Sequence, residues 1–424
     1  MIPDMTEALE RQLEEMTAEL LDRYEELTVL YELGASLASE FDVDRIAEIA
    51  VRRAAEATGA GKGIVALERE DGLYAAALLG AVRLTPGGLT EYVARTGREL
   101  LLHEDEPGPD GVARDVADGA VLSVPLAPPG DASPLGALTL ATKTNGGRFS
   151  AGDAKLANAV ASQLAAAVYR SRLVSSLRAT VAVRRELEIA AGIQRTLLPS
   201  APPAVEGAEI AALCMPAANV GGDYYDFVVD GDGRVSFVIA DVAGHSIGSA
   251  LMMAMARSIL RRELAEGNDP ASVLGATNGA LFDDLVRSAL FLTVFCARFD
   301  PATGLLEYAN GGHNPPLVRR SGGGHVELDA DGAAVGILRD VDFEPGALAL
   351  DPGDTLLLYT DGVTEAIGPD GEQFGEERLR ATFGDLRPQE LVDTLYSASR
   401  AHAGVGSAQG DDVTLVAVRR EETA

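Results

Sequence analysis

The spacing of apolar and polar residues changes along the chain, and the changes predict several domains. At the N-terminus, apolar residues recur at alternating steps of three and four positions on a charged background, as in a heptad-like helix. The residues of this stripe are Leu9, Leu13, Met16, Leu20, Leu27, Leu30 and Leu37. Such a helix packs either on its own domain or on a second copy of the chain, and the pattern does not choose between these interpretations.

A mixed pattern of helix and strand follows over residues 41–172. An amphipathic helix is predicted from Val43 to Thr58, with Ile46, Ile49, Ala50 and Val51 on its apolar side. Short apolar runs predict four strands, of which the first two are separated by an Asp-Gly hairpin signal. These strands are Gly63–Leu67, Leu73–Leu79, Ala120–Leu126 and Leu135–Ala141.

A long helix is predicted after this region. Residues 149–153 offer a helix start, and no proline occurs from Asp153 until Pro199. An unbroken helix of this length spans about 70 Å. An imperfect apolar stripe continues along it at Leu173, Leu177, Val181, Leu187 and Ala191. The helix is either a signal lever between two domains or a passive spacer.

Strands dominate the pattern after Pro199. Apolar runs predict strands at Arg234–Ala240, Phe291–Arg298, Leu305–Asn310, Pro316–Arg319, Thr355–Thr360 and Val413–Val418. Two helices are predicted among them, over Ser246–Glu266 and Ala271–Val286. The first is expected to bury Leu251, Met252, Met255, Ile259 and Leu260. Two helices within a many-stranded region predict a layered α/β sandwich.

Composition narrows the class of protein. The 424 residues allow two or three domains, and the net charge of −30 makes nucleic acid a poor partner. The two cysteines, Cys214 and Cys296, are too few for a thiolate metal site or a disulfide framework. No secretion signal and no membrane-spanning run is recognisable, so a soluble cytoplasmic protein without membrane association is expected.

Candidate chemistry lies in four acidic, glycine-flanked turns: Val220–Asp226, Asp241–Ser246, Thr360–Gly362 and Gln409–Asp412. Three of them stand at the end of a predicted strand, where a buried carboxylate is unfavourable unless a cation or hydrogen bonds hold it. Oxygen ligands suit Mg²⁺ or Mn²⁺ rather than zinc. Each Asp-Gly taken singly is an ordinary β-turn, but the four together predict a metal site. Two such ions could orient a water for attack on phosphorus.

The region from about Glu25 to Arg172 resembles a GAF domain. The resemblance is carried by Ser123–Leu126, Leu135–Leu140 and the helix start at Phe149–Asp153. It implies a sensor or dimerisation module. The region lacks a cysteine for a covalent bilin and an Asn-Lys-Phe-Asp-Glu cyclic-nucleotide signature, and its only histidine is His103.

The region from about Leu187 to Arg420 resembles the PP2C-like (PPM) serine/threonine phosphatases of the SpoIIE/RsbU type. Besides the acidic turns, the resemblance is carried by Ile193-Gln194, Leu197–Pro199, Tyr308–Pro316, Phe374-Gly375 and Arg378-Leu379. It implies a metal-dependent phosphoprotein phosphatase with two Mn²⁺ or Mg²⁺ ions. Its implied substrate is a phosphorylated anti-anti-sigma (STAS-type) protein.

The resemblance also implies roles for individual residues. Asp223 is expected to ligate one ion and Asp241 to bridge both, with the Val242 carbonyl as a further ligand. Asp361 and Asp411 are expected to complete the other side of the two-ion site, and Asp412 is the alternative to Asp411. His245 either contacts phosphate or protonates the leaving serine oxygen, or it caps the following helix. Asp226 is expected to lie behind the ligands without contacting an ion. His313 is expected to shape its loop. Ser246 stands where the family usually has glycine.

The sequence thus predicts an α+β chain with a helix over residues 1–40, a GAF-like α/β domain over 41–172, a helical linker over 173–199 and a PPM-type αββα sandwich over 200–420. A homodimer through residues 5–38 and 154–198 is expected. The alternative function is a metal-free signalling scaffold that binds its partner without turnover. A phosphorylated metabolite as substrate also remains open.

Overall fold

The computed structural model describes residues 30–104, 106–109, 111–116, 119–128, 130, 133–244, 246–404, 407 and 409–422, together with positions 13, 16, 17, 24, 27 and 28. The chain divides into two compact units, Met1–Ala182 and Val183–Ala424. Leu9 and Leu20 of the predicted N-terminal stripe lie outside the described residues. Leu13, Met16 and Leu27 are exposed, whereas Leu37 is buried in the core of the first unit.

The first unit contains one antiparallel sheet of five strands in the order β2-β1-β5-β4-β3. Its strands are β1 (Ala60–Arg69), β2 (Gly72–Leu79), β3 (Leu100–Leu102), β4 (Val121–Pro125) and β5 (Gly136–Lys143). Its helices are α1 (Val43–Thr58), α2 (Leu89–Thr96) and the first part of α3 (Ala151–Leu197).

Local sequence explains the limits of α1 and its position on the sheet. The Asp42 side chain accepts hydrogen bonds from the first-turn amides of α1, and Gly59 ends the helix in the left-handed conformation at φ 68°. The apolar side of α1 and the first part of α3 enclose the main core with one face of the sheet. Ile46, Ala50 and Val51 are buried there, and Ile49 is partly buried, as the pattern predicts.

The second unit contains two antiparallel sheets of five strands each, in the orders β13-β10-β9-β8-β7 and β12-β11-β14-β15-β6. Its strands are β6 (Ala208–Met215), β7 (Asp223–Val229), β8 (Val235–Val242), β9 (Leu292–Phe299), β10 (Leu305–Gly311), β11 (Leu317–Arg319), β12 (His325–Glu327), β13 (Pro345–Ala349), β14 (Thr355–Tyr359) and β15 (Val413–Arg420). Its helices, after the end of α3, are α4 (Ile247–Ala265), α5 (Pro270–Ser288), α6 (Asp361–Thr364), α7 (Gly375–Thr382) and α8 (Pro388–Ala403).

Three apolar cores define the layers of the second unit. One lies between the two sheets, around Phe237, Phe295 and Leu358. A second joins α4 and α5 to the first sheet, and a third joins α7 and α8 to the second sheet. The unit is therefore an αββα sandwich, and the predicted α+β architecture with its long helix is confirmed.

The prediction for the buried face of α4 is wrong in part. Leu251 and Met255 are exposed, and the residues that face the sheet are Met253, Ala256, Leu260 and Leu264. Apolar residues occur around most of this helix, so spacing alone does not identify its packed side. Helices α2, α7 and α8 were also absent from the prediction. In the described part of the chain, no helix has the length and apolarity needed to cross a membrane.

Candidate metal centre

The candidate site begins with two aspartates on neighbouring strands. Asp223 is the first residue of β7 and pairs in register with Asp241, the penultimate residue of β8. Asp223 is only 4% exposed. Two like charges that face each other across an antiparallel pair destabilise it, more so when they are buried. The fold therefore places the two carboxylates where a cation between them would be stabilising.

Two threonines of the second sheet hold the Asp223 carboxylate. Its Oδ2 accepts hydrogen bonds from Thr360 Oγ1 at 2.9 Å and from Thr414 Oγ1 at 2.6 Å. The Thr414 amide donates in turn to Thr360 Oγ1 at 2.9 Å. All three side chains are buried, so these bonds fix Asp223 between the two sheets. Neither threonine was predicted as a site residue, although each lies within two residues of a predicted ligand.

The electrostatics of the site show that its acids repel one another. Burial and the nearby Asp241 carboxylate raise the pKa of Asp223 well above its ordinary value. Burial, followed by the charges of Asp361 and Asp411, raises the pKa of Asp241 to about 7. The pKa of Asp361 is also raised, by burial and then by Asp411. These acids share one region that favours either protons or cations.

Asp361 and Asp411 reach this region from the second sheet. Asp361 follows β14 and is the first residue of the short helix α6, while Asp411 precedes β15. Strands β14 and β15 are neighbours, which brings the two acids together. Both side chains are partly exposed, so their carboxylates are open to an ion.

Asp412 has a different role from Asp411. Its buried carboxylate accepts hydrogen bonds from the amides of Ala217 and Gly222, both at 2.7 Å. Burial raises the pKa of Asp412, and these two amides oppose the shift. Asp412 therefore fixes the loop before Asp223. Asp411 Oδ1 accepts a hydrogen bond from the Asp412 amide at 2.8 Å, and Asp411 is the more exposed of the two adjacent aspartates.

Two glycines let the backbone segments approach closely. A Cβ on Gly222 would lie 2.4 Å from the Val242 carbonyl oxygen and 3.1 Å from Asp241 Oδ1. A Cβ on Gly362 would lie 1.9 Å from the Asp412 carbonyl oxygen. Real side chains do not reach such distances, so these positions require glycine. The Val242 carbonyl, a predicted ligand, consequently lies beside the Gly222 turn.

Other predicted site residues lie elsewhere or are not described. Asp226 binds Tyr224 Oη at 2.7 Å and pairs with Arg261 of α4, on the face of β7 turned towards the helices. It anchors α4 rather than supporting the acids. His245 lies outside the described residues. The Ser246 hydroxyl caps α4 by accepting from the Ser249 amide, so the serine that replaces glycine has a structural use.

Within the second unit, the end of α3 contacts the loop that precedes Asp223. Gln194 Nε2 donates to the Gly221 carbonyl at 2.6 Å, and the Gly221 amide donates back to Gln194 Oε1 at 3.0 Å. A cavity of about 460 Å³ adjoins this pair and is bounded by Cys214, Met215 and Asp412, among others. The residue pair Ile193-Gln194 is one of the segments that carry the family resemblance, but its contact with Gly221 was not predicted.

The donor set fits a hard divalent cation. Among the described residues, no three histidine, cysteine or acidic side chains are gathered closely enough to ligate one ion as they stand. The acids nevertheless supply only oxygen donors, and burial together with the charge of neighbouring acids raises the pKa of Asp223, Asp241 and Asp361. A divalent cation relieves that repulsion, and oxygen-only donors select Mg²⁺ or Mn²⁺.

An αββα sandwich with acids at the ends of central strands has the architecture of a PP2C-like phosphatase domain. A family model described as Stage II sporulation protein E (SpoIIE) matches residues 231–421, and a GAF-domain model matches residues 41–168. Phosphoserine phosphatase RsbU of Bacillus subtilis is 31% identical over 248 residues, which cover 56% of this chain and 71% of RsbU. The chain belongs to the family of SpoIIE/RsbU-type phosphatases, with a GAF domain in its first unit.

Two further comparisons agree with this assignment. Protein IcfG of Synechocystis sp. is 33% identical over 265 residues, which cover 56% of this chain but only 42% of IcfG. The solved SiaA-PP2C domain of Pseudomonas aeruginosa has a TM-score of 0.50 and 28% identity, and the match covers 57% of this chain and 99% of that domain. The chain thus spans less than half the length of IcfG and nearly three quarters of RsbU.

Proposed function

We propose that the second unit hydrolyses the phosphate ester of a phosphoserine or phosphothreonine on a protein, in a reaction that depends on two Mn²⁺ or Mg²⁺ ions. The observation that carries the proposal is the in-register pair of the buried Asp223 and the partly buried Asp241, with Asp361 and Asp411 beside it. When bound, the ions supply a water of lowered pKa and offset the charge of the phosphate oxygens.

Each residue has a definite part in this proposal. Asp223 and the Val242 carbonyl would hold one ion, Asp241 would lie between the two, and Asp361 with Asp411 would hold the other. Asp412 keeps the Gly222 turn against the Val242 carbonyl through two amide bonds. Thr360 and Thr414 keep Asp223 Oδ2 oriented. His245 is proposed to contact the phosphate or protonate the serine oxygen that leaves.

The substrate and the control of the enzyme are parts of the same proposal. RsbU is named a phosphoserine phosphatase, and the sequence resemblance favours a phosphorylated anti-anti-sigma factor of STAS type as substrate. Control by the GAF domain is proposed to act through α3. That helix has exposed apolar residues at four-residue spacing, namely Leu173, Leu177 and Val181. They support a cytoplasmic homodimer joined along residues 154–198. The N-terminal residues 5–38 would extend the dimer contact.

Phosphate release tests the proposal. The full chain is given p-nitrophenyl phosphate or a phosphoserine protein with Mn²⁺ or with EDTA, for the wild type and for Asp361→Asn. The matched control is Asp370→Asn, because Asp370-Gly371 is a second Asp-Gly turn whose aspartate is exposed. Turnover that needs Mn²⁺, is lost in Asp361→Asn and is kept in Asp370→Asn supports a phosphatase. Partner binding without turnover under any of these conditions would support the scaffold instead.

A further inference from the structure

His313 is a buried histidine that the proposed chemistry does not use. It follows β10 and is only 5% exposed. The Asn310 side chain holds its backbone on both sides, since Nδ2 donates to the His313 carbonyl at 2.9 Å and Oδ1 accepts from the His313 amide at 2.8 Å. The backbone of His313 is therefore held in one place, with its side chain buried.

One ring nitrogen connects His313 to the strand beside Asp241. Nδ1 lies 2.9 Å from Thr293 Oγ1. Thr293 of β9 pairs in register with Asp241 of β8, and its Oγ1 is also 3.5 Å from the Asp241 carbonyl oxygen. Thr293 therefore links the ring to the backbone of Asp241.

The ring also lies against the strand that leads to Asp361. Nε2 is buried and has no partner at hydrogen-bond geometry in the described part of the chain, yet the Tyr359 main chain is near enough to favour the protonated ring. Tyr359 is the last residue of β14, two positions before Asp361. His313 therefore stands between a strand end of the first sheet and a strand end of the second sheet.

A role in proton transfer does not fit this environment. Burial lowers the pKa of His313 to about 4, so the ring is neutral at neutral pH. It is closed off from solvent, and among the described residues the only partner of the ring at hydrogen-bond geometry is Thr293. A neutral, fixed ring suits a spacer between two strands better than a general acid.

We propose that His313 is a positioning residue for the metal centre: together with Thr293 it sets the separation between the strand ends that carry Asp241 and Asp361. The inference rests on the proposed function, because the quantity it controls is the affinity of the site for divalent ions. Residues that orient metal ligands from behind change affinity by about 10-fold to 100-fold when they are removed.

Two matched pairs of variants test the proposal in the full chain. His313→Phe removes both nitrogens and keeps a ring, whereas His313→Asn keeps a hydrogen-bonding group near the position of Nδ1. Thr293→Val removes the hydroxyl and keeps the shape, whereas Thr293→Ser keeps the hydroxyl. Mn²⁺ binding is measured by calorimetry without substrate, and the Mn²⁺ dependence and pH profile of phosphate release are measured alongside. Circular dichroism establishes that each variant is folded.

The expected result is a Mn²⁺ dissociation constant raised about 10-fold or more in His313→Phe and Thr293→Val, with at least partial recovery in His313→Asn and Thr293→Ser. At saturating Mn²⁺, kcat should stay within about threefold of the wild type, and the pH profile should keep its shape. If His313→Phe does not fold, the Thr293 pair carries the test.

Unchanged Mn²⁺ affinity in folded His313→Phe or Thr293→Val overturns this inference alone. Loss of kcat at saturating Mn²⁺ with an altered pH profile also overturns it, because that result assigns His313 to proton transfer. A wild-type chain that neither binds Mn²⁺ nor releases phosphate overturns the proposed function, and this inference with it.

Discussion

Asp223 and Asp241 face each other across the β7–β8 pair. Burial and the Asp241 carboxylate raise the pKa of Asp223, while burial and the charges of Asp361 and Asp411 raise the pKa of Asp241. A carboxylate pair in this position opposes folding unless something positive lies beside it. Asp361 and Asp411 add to the negative charge from the neighbouring sheet. Hard divalent ions would offset the repulsion among these carboxylates, and this arrangement is the basis of the phosphatase proposal.

Removing the threonine hydroxyls should weaken the site without altering its charge. Thr414→Val deletes the 2.6 Å bond to Asp223 Oδ2 and keeps the side-chain volume, so Asp223 loses one of its two hydroxyl donors. We expect a Mn²⁺ requirement raised about 10-fold and a loss of about 1–3 kcal/mol in the free energy of unfolding. Thr414→Ser, which keeps the hydroxyl, is the control. Equal Mn²⁺ requirements in the valine and serine variants would contradict the role assigned to this bond.

A methyl group at Gly222 should disrupt the turn beside Val242. The added Cβ would meet the Val242 carbonyl oxygen at 2.4 Å, so the backbone must shift and the predicted ligand moves with it. Gly222→Ala is therefore expected to abolish Mn²⁺-dependent phosphate release. Gly275→Ala is the matched control, since Gly275 is exposed on α5 and a Cβ there meets nothing within 4 Å. That control should be active and more stable by about 1 kcal/mol.

The contact between α3 and the site should influence turnover. Gln194→Ala removes both hydrogen bonds to the Gly221 backbone, while Gln194→Glu keeps the acceptor and loses the donor. We expect phosphate release to fall about 10-fold in Gln194→Ala, through a raised Mn²⁺ requirement. Gln389→Ala, on the exposed side of α8, serves as the control. Wild-type turnover in Gln194→Ala would show that the end of α3 does not support the site.

The buried His313 should make stability depend on pH. Its folded-state pKa is lowered to about 4, whereas the unfolded value is near 6.5, so the unfolded chain binds more protons between these values. Its contribution to stability is fully present above about pH 6.5 and is lost as the pH falls towards 4, by up to about 3 kcal/mol. His313→Phe should lack this part of the pH dependence. Urea unfolding in EDTA at several pH values measures it, and parallel curves for the two proteins would contradict the prediction.

The sequence predicted the parts of the site that depend on simple patterns. Apolar runs that end in an acid identified the strands that carry Asp241 and Asp361, because a buried strand and its polar end differ sharply in composition. The helix Val43–Thr58 was predicted with its observed limits, since Asp42 and Gly59 provide its caps. These features are local, and local chemistry determines them.

Features that depend on contacts between distant strands were not predictable in the same way. A threonine in a strand is an ordinary β-former, so nothing in the pattern shows that Thr360 and Thr414 share Asp223 as an acceptor. The prediction of the packed side of α4 failed for a related reason. Leu251 and Met253 are both apolar, and only their position relative to the sheet distinguishes them. The preference for Asp411 over Asp412 likewise emerged only from the amides of Ala217 and Gly222.

The most direct test of the central claim is the thermal stability of the second unit with and without Mn²⁺, for the wild type and Asp241→Asn. Without metal, Asp241→Asn should be at least as stable as the wild type, because the substitution removes one of the repelling charges. Mn²⁺ at 100 times its dissociation constant should stabilise the wild type by about 2.7 kcal/mol and should leave Asp241→Asn unchanged. A wild type that does not respond to Mn²⁺, or a variant that responds equally, would contradict the account.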